Sequence, residues 1–152
     1  MLVFRPVSED ELRGLAQGRV LTGPAWAATP SFRDAFGLDP GDDEDAERTA
    51  LYIAALAGLI QHGRRLVVVA ETPARDSGTD FGAVGVDRLA FEHVTALFAD
   101  DPSAQPLAEA TRSAIAQLGV EDAWGHPAHG ALLAEADLLW YGPEEWAVLA
   151  AC

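Results

Sequence analysis

Two spacings of apolar residues alternate along this chain. Leu2–Pro6, apolar but for Arg5, reads as a first strand. Ser8 and Glu11 then have the spacing of a capping box, with each side chain able to bond the other residue's backbone N–H. Leu12 and Leu15 place a short helix after the cap, ended near Gly18. Residues 25–28 read as a second strand. Thr29 and Pro30 follow in the cap and first-turn positions of a helix that carries Phe32 and Phe36 on one face and stops at Gly37.

The strongest element runs from Asp43 to His62. Its first turns are acidic and its end carries His62, Arg64 and Arg65, an order that complements the helix macrodipole. From Leu51 to Ile60 it is apolar on almost every face, so burial on more than one side is expected. Residues 66–70 form a continuous apolar run around three β-branched valines, the pattern of a central strand covered on both faces. Residues 73–80 read as a polar loop, the segment most suited to disorder. Residues 83–86 and 94–98 read as strands, with a helical turn between them near 89–93. Asp101 and Pro102 open a helix that runs from about Ser103 to Leu118. Residues 121–130 read as irregular, residues 137–141 as the last strand and residues 143–149 as the last helix.

The expected order is β-α-β-α-α-β-β-β-α-β-α. It describes an α+β (mixed α/β) fold, a single globular domain over residues 1–152, in which a five- to six-stranded mixed sheet packs with four to five helices. Nothing in the pattern fixes the strand order.

Charge narrows the classes of partner. The chain carries 24 acidic and 10 basic residues, a formal net charge of −14, and every basic residue is an arginine. Lysine and asparagine are both absent, which points to a GC-rich genome. Nucleic acid and anionic membrane are poor partners for such a surface, because phosphate neutralisation needs clustered cations. A basic protein or a small molecule fits better. No run is apolar over the length of a bilayer span and the first residues lack a signal-peptide pattern, so a cytoplasmic location is expected. The single cysteine, Cys152, cannot form an internal disulfide and could at most link two chains after oxidation. No cofactor is expected, and the sequence does not express an oligomeric state.

Several of these segments also carry a resemblance. They are Leu2–Pro6, residues 25–30, the acidic-headed helix running into residues 64–70, residues 94–101 with the Asp100 and Asp101 pair, and residues 137–141. On them the chain resembles, over nearly its whole length, a family of small acidic proteins from high-GC bacteria catalogued as a domain of unknown function. The resemblance implies a stand-alone bacterial cytoplasmic domain and no particular activity. Related sequences often carry a histidine before the last strand and a threonine cap after the Trp-Tyr pair. Ala136 and Pro143 stand at those positions here.

Four groups of residues invite chemistry. Glu144 and Glu145 lie between aromatics, so either could act as a general base walled by Trp140, Tyr141 and Trp146, which are also the candidate ligand-binding rings. The competing reading is structural: Gly142 turns the chain, Pro143 opens a helix and the glutamates favour its positive end. His126 and His129, with a nearby carboxylate, could ligate a metal, although their spacing matches no established motif. The acidic run from Asp39 to Asp45 lacks the ligand spacing of a calcium loop. Asp100 and Asp101 end a strand, where α/β proteins place ligands, but Asp101 before Pro102 is also a good helix cap.

No convergent catalytic set emerges, and no phosphate-cradling glycine loop or serine elbow is present. The leading expectation is a non-enzymatic domain for protein interaction or small-ligand binding. The alternative is a hydrolase-like enzyme that gathers Asp100, Asp101, Glu144 and His126 or His129 in one pocket. An acidic mimic of nucleic acid is a third reading. It requires carboxylates spaced along one face, whereas these cluster where helices begin.

Overall fold

The computed structural model describes residues 1–151. The expectation for Cys152 lies outside the described residues. The elements in chain order are β1 (Leu2–Pro6), α1 (Glu9–Ala16), β2 (Leu21–Trp26), α2 (Pro30–Phe36), α3 (Asp43–His62) and β3 (Leu66–Glu71). Then come β4 (Arg75–Asp76), β5 (Ala83–Leu89), β6 (Val94–Ala99), α4 (Gln105–Ile115) and α5 (Val120–Trp124). The chain continues through α6 (Pro127–Glu135), β7 (Leu139–Tyr141) and α7 (Trp146–Leu149). Short 3-10 turns at Phe91–His93, Pro102–Ala104 and Pro143–Glu145 join them.

The strands form one sheet in the order β4-β5-β2-β1-β3-β6-β7. Every neighbouring pair is antiparallel. Two expectations are corrected here. The sheet is antiparallel rather than mixed, and it has seven strands and seven α-helices among the described residues, more than the five to six and four to five expected. The extra strand, β4, is two exposed residues without apolar alternation, so it had no pattern to betray it. The extra helices lie in the stretch expected to be irregular. Gly119 starts α5 and Gly125 ends it, while His126 caps α6 and Pro127 occupies its first turn. The breakers in that stretch mark helix ends.

The local grammar holds elsewhere. Ser8 Oγ accepts the Glu11 N–H at 3.1 Å and Glu11 returns the bond to the Ser8 N–H at 3.1 Å. Thr29 caps α2, and Asp101 accepts the Ser103 N–H at 2.9 Å ahead of Pro102. Helix α3 begins at Asp43 and ends at His62, followed by Gly63 in the left-handed conformation. Asp42 makes no side-chain cap for α3 and accepts the Asp39 N–H instead.

Strand β3 shows how the core is divided. Leu66, Val68 and Ala70 face one side of the sheet, where Leu12 and Leu15 of α1 and Leu149 of α7 cover them. Val67 and Val69 face the other side, against Phe4, Trp26 and the α3 residues Ala50, Ile53, Ala54 and Ala57. Both sets are buried, so an unbroken apolar strand is the only pattern that avoids stranding a polar group. Burying one large aliphatic side chain such as Ile53 contributes about 1.5–3 kcal/mol, which offsets the weak amphipathicity of α3. The helix is seated closely: a Cβ on Gly58 would lie 3.1 Å from the Pro6 Cβ and 3.2 Å from the Arg64 carbonyl. The outer side of α3 packs on α4, α5 and α6 through Leu56, Leu59, Ile115, Ala123 and Leu132.

Candidate functional site

Helix α3 ends at Gly63, and the chain passes through Arg64 and Arg65 directly into β3. Strand β6 runs the opposite way beside it and ends at Ala99. The β3–β6 register pairs Leu66 with Ala99, so the residue before one faces the residue after the other. That geometry brings Arg65 to Asp100. Arg65 Nε donates to Asp100 Oδ2 at 2.9 Å, and Nη2 donates to Oδ1. The side chains are 0% and 2% exposed. Nη2 also donates to the Ala136 carbonyl at 2.9 Å, tying the pair to the chain entering β7.

A cleft of about 530 Å³ opens beside this pair. Its lining includes Glu9, His62, Arg64, Asp101, Gln105 and Val148. Arg64 donates to Glu9 at 2.9 Å and to the Leu149 carbonyl at 2.7 Å, bracing α7 against α1. Gln105 donates to the Gly63 carbonyl at 3.0 Å. His62 lies 3.5 Å from Glu11. Burial pushes the Glu11 carboxyl up, but the Ser8 N–H, Arg5 and His62 outweigh it and hold the group below its ordinary value. Arg64, Glu9 and Gln105 thus already have hydrogen-bond partners within the protein.

A smaller groove of about 230 Å³ is lined by Arg48, Thr49 and Tyr52 of α3 with Trp124 and Leu133. The Arg48 guanidinium sits 5.0 Å from the Tyr52 ring centroid, and Arg65 approaches the same ring at 5.8 Å. The Tyr52 hydroxyl accepts the Leu138 N–H at 2.9 Å. Behind Trp124 lies His129, fully buried, with ring centroids 5.1 Å apart. His129 Nδ1 is 3.2 Å from the Trp124 carbonyl, which requires Nδ1 to carry the proton. Nε2 and Arg65 Nη1 are both buried without a hydrogen-bond partner. Burial pushes the His129 imidazole below its ordinary value, the Trp124 carbonyl opposes that, and the Arg65 charge adds to it.

The residues singled out by sequence are spread through the molecule. Asp100 and Asp101 share the rim of the larger cleft, but Asp100 is bound to Arg65 and Asp101 caps the turn that leads into α4. The Ser103 backbone N–H and side chain lower the Asp101 pKa from its ordinary value. Glu144 and Glu145 are exposed and do not line that cleft; Glu145 accepts the Gly142 N–H at 2.7 Å. His126 Nδ1 accepts the Ala128 N–H at 3.0 Å as the cap of α6, and His129 is buried beneath the smaller groove. Among the described residues, no three His, Cys, Asp or Glu side chains are grouped to hold a metal ion. Trp140 is 62% exposed, whereas Tyr141 and Trp146 pack against the α1–α7 side of the core, so the three rings do not form one wall.

Sequence reasoning took Arg65 only as a helix-end charge and passed over Tyr52 and Trp124 as site residues. A signal existed for two of them. Arg65 is a charge abutting a wholly apolar strand, and Tyr52 is the one hydroxyl in the apolar half of α3. Trp124 lay in a stretch with no readable period.

The fold and these two concavities define an α+β protein, an antiparallel sheet covered by helices on both faces. The chain belongs to a family of unknown function, DUF6912, whose model matches residues 1–150. No curated protein matches the chain. No solved structure matches it either.

Proposed function

We propose that this protein is a non-enzymatic protein-interaction domain of the bacterial cytoplasm, acting as a single globular unit and binding a basic partner through its acidic surface. One observation carries this reading. Among the described residues Asp100 is the one buried carboxylate, and Arg65 neutralises it. The remaining excess of a chain with net charge −14 therefore faces solvent. Such a field raises the encounter rate with a cationic surface and repels phosphate backbones and anionic lipid. No helix of the described residues is long and apolar enough to cross a membrane.

A second reading, small-ligand binding, is supported by the larger cleft beside Arg64 and Gln105, whose volume of about 530 Å³ suits a metabolite-sized guest.

Calorimetric titration with an unstructured oligoarginine peptide at low and high salt tests the interaction reading. The expected result is binding at low salt that weakens steeply as salt screens the surface. Absence of binding at low salt would remove the reading.

A further inference from the structure

The two edges of the sheet are built differently. At one end, β4 presents Arg75 and Asp76, both exposed, and Arg75 is paired with Asp87. Charged side chains on a short strand are an ordinary defence against edge pairing. At the other end, β7 pairs with β6 on one side only, and among the described residues no backbone hydrogen bond joins its outer side to another segment. Its exposed side chains are Leu139 at 39% and Trp140 at 62%, two of the few large apolar groups at the surface. Trp140 pairs in register with Phe98, itself half-buried, so the apolar surface extends inward from the edge.

Charge flanks this edge on both ends. Asp137 precedes it, and Glu144 and Glu145 follow it, all three exposed. Arg48 approaches Asp137 at 3.4 Å, but both side chains remain open to solvent, where such a pair is weak. The edge is thus an apolar centre between acidic ends.

We infer that β7 is a docking edge for an extended segment of a basic partner protein, with β-branched or aromatic residues at its centre and arginine or lysine at both ends. The inference rests on the interaction reading above and names the site and form of that contact. Main-chain hydrogen bonds along the free side of β7 supply affinity, Trp140 and Leu139 cover the alternate central side chains, and the three carboxylates receive the flanking cations. A second copy of this chain is a poor occupant. Antiparallel self-pairing about Trp140 would set Asp137 against the end of the strand that carries Glu144 and Glu145, like against like, in two molecules of net charge −14.

The test titrates the whole protein with a short peptide of two arginines, a valine–threonine–valine centre and two arginines. A matched peptide carries N-methyl groups on alternate backbone nitrogens, which keeps its charge and side chains but removes its ladder donors. Binding of the first, an affinity loss of about tenfold or more on N-methylation, and a similar loss in Trp140→Ala are expected. Val20→Ala, which alters an exposed apolar residue elsewhere, is expected to bind as the parent does. Equal binding of both peptides, or of neither, overturns the docking edge. The oligoarginine titration separately decides whether the acidic surface binds cations at all. A dimer in sedimentation that Trp140→Ala dissolves would assign the edge to a second copy and overturn the inference.

Discussion

Arg65 holds Asp100 through two parallel hydrogen bonds in the interior, one from Nε and one from Nη2. The carboxylate that the sequence offered for chemistry is therefore the counter-ion of an arginine that opens the central strand. Its two oxygens are occupied by a fork of matching geometry.

Breaking this pair is expected to be costly. Asp100→Ala leaves the Arg65 charge buried with one carbonyl bond, and about 3–5 kcal/mol of stability is expected to be lost. The double replacement Arg65→Met with Asp100→Leu removes both buried charges and is expected to cost less than either single change. Urea unfolding of the four proteins in a double-mutant cycle checks this; additive losses would contradict it.

His129 gives the fold an acid-sensitive group. Its neutral form is favoured in the folded state by burial and by Arg65, against an ordinary value of 6.5. The unfolded chain therefore takes up the proton more readily, and stability falls as pH drops below that ordinary value until the lower folded-state pKa is passed. The Trp124 carbonyl works the other way without reversing the sign. His129→Phe is expected to flatten the fall of stability in the range below the ordinary value of 6.5. Chemical denaturation across that range reads the slope, and an unchanged slope would assign it to other groups.

The Tyr52 hydroxyl is the acceptor for the Leu138 N–H just before β7. Tyr52→Phe leaves that buried donor unsatisfied, and a loss of about 1–3 kcal/mol is expected. Hydrogen exchange at Leu138 is expected to accelerate selectively, a change that a general loosening of α3 would not confine to one amide.

Gly82 lies at a close crossing. Its φ is +77°, and a Cβ there would come within 2.2 Å of the Ala27 carbonyl oxygen. Gly82→Ala is expected to cost at least about 1–3 kcal/mol from the backbone conformation alone, with the clash added. Thermal unfolding measures it, and a neutral result would show that the 79–82 turn relocates freely.

Much of the fold was legible because its causes are local. The Ser8–Glu11 box, the Thr29 and Asp101 caps and the Gly63 end of α3 are bonds between residues a few positions apart, and the acidic head of α3 acts on the end of its own helix. The apolar run of β3 likewise announced burial on both faces, since no polar group could survive there. The direction of its neighbours was not legible, because helices cover both faces of an antiparallel sheet here as they would a parallel one. Residues 121–130 were misread for a related reason: Gly125 and Pro127 end one short helix and begin another, and α5, five residues long, has no room to show a period.

The sequence by itself determined the caps, the long helix, the doubly buried strand and the excess of acid, because each depends on near neighbours or on composition. Only the tertiary structure decided that residue 65 faces residue 100, that His129 is buried beside Trp124, and that β7 rather than another strand is left at the edge with Trp140 exposed. Those outcomes depend on pairing across long separations. The register of two strands is chosen by the packing of the whole sheet, and no short window of residues contains that choice.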